Sequence, residues 1–272
     1  MQRALFLCIV LCVSVLGCAH EKANPMASAP QAAVAGSYPA VIADPIPECR
    51  AAILVYHHVN PHSAGETPPL RAMTVSHVAF AAQMQHLFDA KYAVVSLDAV
   101  TDCLTSSVPL PEKAVVITLD DGWSSQYVYA LPILEKHHFT ATFFVVTNLV
   151  LERDGGGLLS WPQVKDLDKC GMTIGSHSKT HPNLTLLSDA QLKDEVSGSK
   201  KTLEDRLSKP ARHFAYPFGF VNDRVVAAVR SAGYVSARGT VDGTHQQARD
   251  LYTLKVVYVT DDFKAFARNI AQ

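Results

Sequence analysis

The apolar run AVVITL (114–119) stops at Asp120, Asp121 and Gly122. Neighbouring side chains on a strand point to opposite faces, so both carboxylates can serve one site only where the strand ends and the backbone turns. Gly122 permits that turn, and two carboxylates held together repel unless a cation lies beside them. Taken alone, the pair is equally a turn followed by a helix cap. A second cluster is GSHSKTH (175–181), with His177 and His181 four residues apart. Coiled into one helical turn, the segment would aim both imidazoles the same way, the spacing that grips a divalent metal. The alternative is a pair of surface histidines. FAYPFG (214–219) joins Pro217 to Gly219, which makes either an irregular backbone with N–H groups free for a ligand or a plain turn between strand and helix. In YHHVN (56–60), His57 and His58 follow another apolar run. Adjacent imidazoles on a strand diverge, so only one of them faces the site.

These clusters need a scaffold that brings strand ends together. Strand-like runs at AAILVY (51–56), YAVVSL (92–97), AVVITL (114–119), ATFFVV (141–146), MTIGS (172–176), HFAY (213–216), YVSA (234–237) and KVVYVT (255–260) alternate with helical patterns. Ser76 caps a helix whose Phe80, Met84, Leu87 and Phe88 share a face; another helix covers Tyr127 to His137, and a third begins near Trp161 and Pro162. SDAQ (188–191) is a capping box opening a long helix, and one more runs from Asp223 to Ala232. The pattern predicts an α/β fold, a distorted (β/α) barrel of about seven strands with the active site at the strand C-termini.

TLDDG (118–122), HSKTH (177–181) and FAYPFG (214–219), in this order, resemble the first three motifs of the polysaccharide deacetylases, carbohydrate esterase family 4 or the NodB homology domain, over residues 50 to 272. The resemblance implies one divalent metal on Asp121, His177 and His181. Zinc heads the candidates, and an oxygen-and-nitrogen ligand set also suits iron, cobalt or nickel. It implies Asp120 as the base that takes a proton from the attacking water, and the backbone N–H of Phe218 as an oxyanion donor, with Tyr216 and Trp161 beside the substrate. For Trp161, and for Trp123, the alternative is core packing.

Two departures narrow the resemblance. The LxH motif that carries the usual catalytic histidine is missing after the third motif, and LVYHHV lies upstream of the first instead. That order is similar to the permuted branch that deacetylates poly-β-1,6-N-acetylglucosamine, and it hands the acid's role to His57. Ala215 stands where many members have an arginine that holds the base, and Phe218 where they have tyrosine; Lys255 is a candidate substitute cation. The implied activity is metal-dependent removal of N-acetyl groups from an extracytoplasmic N-acetylglucosamine polymer. The alternatives are a peptidoglycan or acetylxylan deacetylase, and, from another class, an inactive polysaccharide-binding lipoprotein.

With 272 residues, 48% hydrophobic and 18% charged, the chain can bury one sizeable core and carry a short appendage. Its 24 Lys+Arg against 25 Asp+Glu give a formal charge of -1, so no global field favours nucleic acid or acidic lipid. Arg3 precedes ALFLCIVLCVSVLG, a run too short to span a membrane comfortably and suited to a signal peptide. It closes in VLGC, which resembles a lipobox with Cys18 as the lipidated residue, although Leu16 is a less usual choice there. The expected plan is therefore a lipoprotein signal peptide at 1–18, an Ala/Pro-rich tether at 19–48, and a catalytic domain at 49–272 on a membrane facing the periplasm or cell surface. Beyond the leader, Cys49, Cys103 and Cys170 allow one disulfide with one thiol left over, or three small buried hydrophobes. Oligomeric state has no signature in the sequence.

Overall fold

The computed structural model describes residues 47–271. The leader, Cys18 and the expected tether up to residue 46 lie outside the described residues. Seven parallel strands form a closed ring: β1 (Ala52–Tyr56), β2 (Ala114–Leu119), β3 (Thr142–Val145), β4 (Thr173–Ser176), β5 (His213–Ala215), β6 (Ser236–Asp242) and β7 (Leu254–Tyr258). Each strand pairs with its neighbours in chain order, and β1 closes the ring on both sides. Ile53 lies opposite Val116 of β2, and Val55 opposite Tyr258 of β7. The expected (β/α) barrel is the observed fold.

Alternation along the strands divides the core in two. Ile53, Val55, Val116, Phe144, Ala215 and Val256 point inward. Leu54, Ile117, Phe143, Phe214 and Val257 point outward against the helices. Buried on both faces, these strands read as unbroken apolar runs, which made them legible in the sequence.

The run YAVVSL departs from expectation. Only Ala93–Val94 is a strand, paired on the start of β2. Ser96 then accepts the Ala99 N–H at 3.2 Å and caps a helix, Leu97–Ser106. Leu97, Val100 and Leu104 of that helix fall on one face and join the inward cluster. The capping box at Ser188 and Gln191 forms as expected, and the helical stretch it opens passes through a π-turn at Asp194–Gly198 before Ser199–Leu207. Phe88, expected on the buried face of helix His77–Asp89, is exposed.

Candidate metal centre and active site

The inward positions of the strands converge at the C-terminal mouth. After Val55 of β1 the next inward residue is His57; after Val116 and Thr118 of β2 it is Asp120; after Gly175 of β4 it is His177. On β6 the inward residue is Arg238, whose guanidinium lies 5.1 Å over the Phe144 ring, and on β7 it is Tyr258. Asp121 alone should point outward. It reaches the mouth because its backbone takes a left-handed conformation, φ 73°, followed by Gly122 at φ 79°.

Asp121, His177 and His181 offer ligand atoms that all lie within 4.8 Å of one another. Asp121 Oδ1 stands 3.5 Å from Nε2 of His177 and 3.5 Å from Nε2 of His181, and the two imidazole nitrogens are 3.2 Å apart. Ligand atoms around a tetrahedral ion with bonds of about 2.1 Å are about 3.4 Å apart, so the triangle fits a small divalent cation. The other polar atoms of Asp121 and His177 are already committed. Asp121 Oδ2 accepts from Trp123 Nε1 at 2.9 Å. His177 Nδ1 lies 2.8 Å from the Ala215 carbonyl oxygen, to which it donates, leaving Nε2 as the lone-pair atom. Burial pushes the His177 imidazole down, toward the neutral form a ligand requires, against the opposing pull of Asp120 and Asp121.

The expected helical turn at 177–181 does not form. Ser178 and His181 are left-handed, φ 66° and 63°, and the loop folds over a carboxylate instead. Glu195, 8% exposed, accepts the backbone N–H groups of Lys179 and Thr180 at 2.9 Å each, and the Thr180 hydroxyl at 2.5 Å. Left-handed non-glycine residues are costly and cluster where surrounding contacts enforce them. Here they aim two imidazoles at one point.

Asp120 is 3% exposed and forms an ion pair with the equally buried Arg238. Its other oxygen, Oδ2, is 3.8 Å from His57 Nε2. Burial pushes the Asp120 carboxyl up, but Arg238, His177 and His57 outweigh it and hold the group below the usual range. Gln126, fully buried, donates to the carbonyl oxygens of His57 (2.8 Å) and Asp120, tying the ends of β1 and β2 together. His58 turns away and packs on Trp123, ring centroids 4.1 Å apart.

In the third motif, Phe218 is left-handed (φ 57°) and its ring is 4.5 Å from that of His181. The turn is closed by the N–H groups of Gly219 and Phe220, bonded to the Tyr216 and Pro217 carbonyls, rather than by that of Phe218. A Cβ on Gly219, left-handed at φ 73°, would clash with the Thr240 side chain, so only glycine fits.

Three expectations are corrected. Tyr216 is buried, with its hydroxyl donating to the Tyr252 carbonyl at 2.9 Å and its ring against Phe214, so it packs the core and does not face a substrate. Trp161 is buried in the outer core under the Arg206 guanidinium and lines no groove. Lys255 does not supply the missing cation: it lies 4.0 Å from Asp250, and Arg238 holds Asp120. Arg238, Glu195, Gln126 and Tyr258 escaped the sequence reading. Arg238 had a signal, a charged residue directly after the apolar run YVSA, where burial would demand a partner. Tyr258, at the next inward position of β7 beyond Val256, had none.

Comparison with known proteins agrees with this geometry. The polysaccharide deacetylase family profile matches residues 107–237. A peptidoglycan-N-acetylglucosamine deacetylase of Bacillus cereus is 31% identical over 151 residues, 55% of this chain and 66% of the relative. A poly-β-1,6-N-acetyl-D-glucosamine N-deacetylase of Staphylococcus aureus is 30% identical over 134 residues, 45% of this chain. The chain thus spans only 46% of the length of that staphylococcal relative. Among solved structures, the Streptococcus pyogenes deacetylase PplD in complex with acetate superposes with a TM-score of 0.75 at 26% identity, covering 81% of this chain and 98% of that one.

Proposed function

This chain belongs to the polysaccharide deacetylases, and from that premise we propose that it hydrolyses the N-acetyl groups of an N-acetylglucosamine polymer outside the cytoplasm, poly-β-1,6-N-acetylglucosamine first among them. The observation that carries the reading is the pairing of a three-ligand cation site with a buried carboxylate 3.8 Å from an imidazole. Bound to Asp121, His177 and His181, a divalent cation, zinc or another N/O-preferring metal, would polarise water and the acetamide carbonyl. Asp120 accepts the proton of the attacking water; Arg238 keeps it ionised for that task. The Phe218 N–H takes the developing oxyanion. His57 donates a proton to the departing amine, which leaves poorly otherwise.

The polymer is supported by the upstream YHHV arrangement and by the staphylococcal relative. Peptidoglycan is the second reading, supported by the Bacillus cereus relative. The location rests on the leader residues and on Cys18 as lipid anchor; a Cys18→Ala variant that stays in the membrane fraction would remove that support.

The test is acetate release by the purified, metal-loaded protein from poly-β-1,6-N-acetylglucosamine, peptidoglycan and acetylxylan. Asp120→Asn is expected to retain metal and lose about 10²–10⁴ in turnover, whereas His177→Ala loses the metal. Near-normal release by Asp120→Asn would refute the base, and chelator-insensitive release would refute the cation site. A protein that binds the glycans and frees no acetate from any of them would be a binder.

A further inference from the structure

We propose that Cys49 and Cys103 form a disulfide that staples the first described strand to the helix packed under the barrel. Cys49 sits on Glu48–Arg50, which pairs antiparallel with His245–Gln247 and places Cys49 opposite Gln246. Cys103 is buried on Leu97–Ser106. The strand and the helix pack directly on one another, and both cysteines line a cleft of about 400 Å³ with Pro109, Leu110 and Lys113. Cys49 packs on the inward cluster that includes Leu97, Val100 and Leu104, so strand and helix already share one core. Cys170 is elsewhere, exposed on a surface cleft it shares with Glu135. The three cysteines therefore divide into one adjacent pair and one separate thiol.

Disulfides span Cα separations of about 4.4–6.8 Å, so the bond requires the cleft between strand and helix to bring the two residues within that range. The oxidant is a small disulfide such as oxidised glutathione. One thiolate of the pair attacks it and releases one thiol; the second thiolate then displaces the other. Two protons leave the protein, and the oxidant ends as two thiols. Burial, reinforced by the Cys103 thiol, pushes the Cys49 thiol up to about 12, which makes thiolate scarce once the fold has closed. The bond accordingly forms while the chain folds and resists reduction afterwards. It lies before β1, at the end of the barrel opposite the mouth, so catalysis does not depend on it.

The experiment refolds the purified full chain in a glutathione redox buffer, blocks free thiols with iodoacetamide, and maps unreduced tryptic peptides. The expected product joins the peptide ending at Arg50 to the one spanning Tyr92 to Lys113, two hydrogens lighter than the sum, with Cys170 alkylated. Reductant present throughout refolding should lower Tm by about 5–10 °C. Cys49→Ser and Cys103→Ser should each abolish both the linked peptide and the reductant sensitivity, and Cys170→Ser neither. Alkylation of both Cys49 and Cys103 in the oxidised sample, or pairing of either with Cys170, would overturn the assignment.

Discussion

Arg238→Met keeps most of the aliphatic stem and removes the charge, leaving Asp120 in a site where both residues are only 3% exposed. At an effective dielectric of about 20, opposite charges about 4 Å apart attract by about 4 kcal/mol. Removing one partner of a buried pair costs roughly 3–5 kcal/mol, because the remaining charge is stranded. For a chain of this size the loss corresponds to a fall in Tm of roughly 6–20 °C. Asp120 can relieve part of it by taking a proton, since burial already pushes its carboxyl up and Arg238 is the main opposing charge. A carboxyl held low when folded contributes stability above its unfolded pKa and loses it as pH falls through the folded one. Without Arg238 that contribution shrinks, and the acid limb of the pH–kcat/KM profile moves to higher pH. Acetate release at saturating metal across pH, together with thermal melts, reads both effects. In an Asp120→Asn background the sign reverses, because there Arg238 is itself the stranded charge and its removal should stabilise. An unmoved acid limb with an unchanged Tm, or an equal cost of Arg238→Met in both backgrounds, would refute the assignment of Arg238 as the partner of the base.

Two further outcomes follow from the surroundings of the site and the far end of the barrel. Glu195→Gln can keep one oxygen for the Lys179 and Thr180 N–H groups, but it puts an NH2 where the Thr180 hydroxyl donates and removes the charge; the 177–181 loop should loosen, and metal affinity in a chelator competition should fall about 10–100-fold with the fold retained. Unchanged affinity would show that the loop holds its shape without Glu195. Asp98 is held down from 3.8 to about 2 by the His213 ring nitrogen 3.2 Å away and by a hydrogen bond from Arg212 at 2.6 Å, against a partial burial that pushes it up. Its contribution is full above about pH 4 and lost as pH falls through 2, so Asp98→Asn should flatten that stretch of a Tm–pH curve and leave neutral activity intact. A curve of wild-type steepness would exclude Asp98 as its source.

What the sequence could reveal follows from the range of each interaction. Strands buried on both faces are long apolar runs, and caps such as Ser76 and Ser188 are local, so barrel and helices were legible. YAVVSL misled because its apolar residues serve a two-residue strand and then a helix, and the switch depends on one serine, Ser96. The three residues of the candidate cation site were legible through motif spacing, although the assumed route for His177 and His181, a helical turn, was not the one taken. Tyr216 and Trp161 were misplaced because an aromatic beside a motif looks the same whether it faces a groove or the core. Glu195 contacts the loop from 15 residues away through backbone N–H groups, which leave no trace in side-chain chemistry.

The absent motif arginine is resolved by register. Ala215 and Arg238 are Cα partners on adjacent strands, β5 and β6. Both occupy inward positions, so an arginine at either place starts its reach toward Asp120 from neighbouring points on the same wall. Two arginines there would strand one charge in a space with a single carboxylate to pair it, a cost of several kcal/mol. The small side chain at 215 is therefore the complement of the charge at 238. It leaves the interior open for the guanidinium to cross over Phe144, while its own carbonyl fixes the tautomer of His177. Asp120 and the candidate cation site thus share one residue pair as their support, Arg238 acting through charge and Ala215 through its backbone.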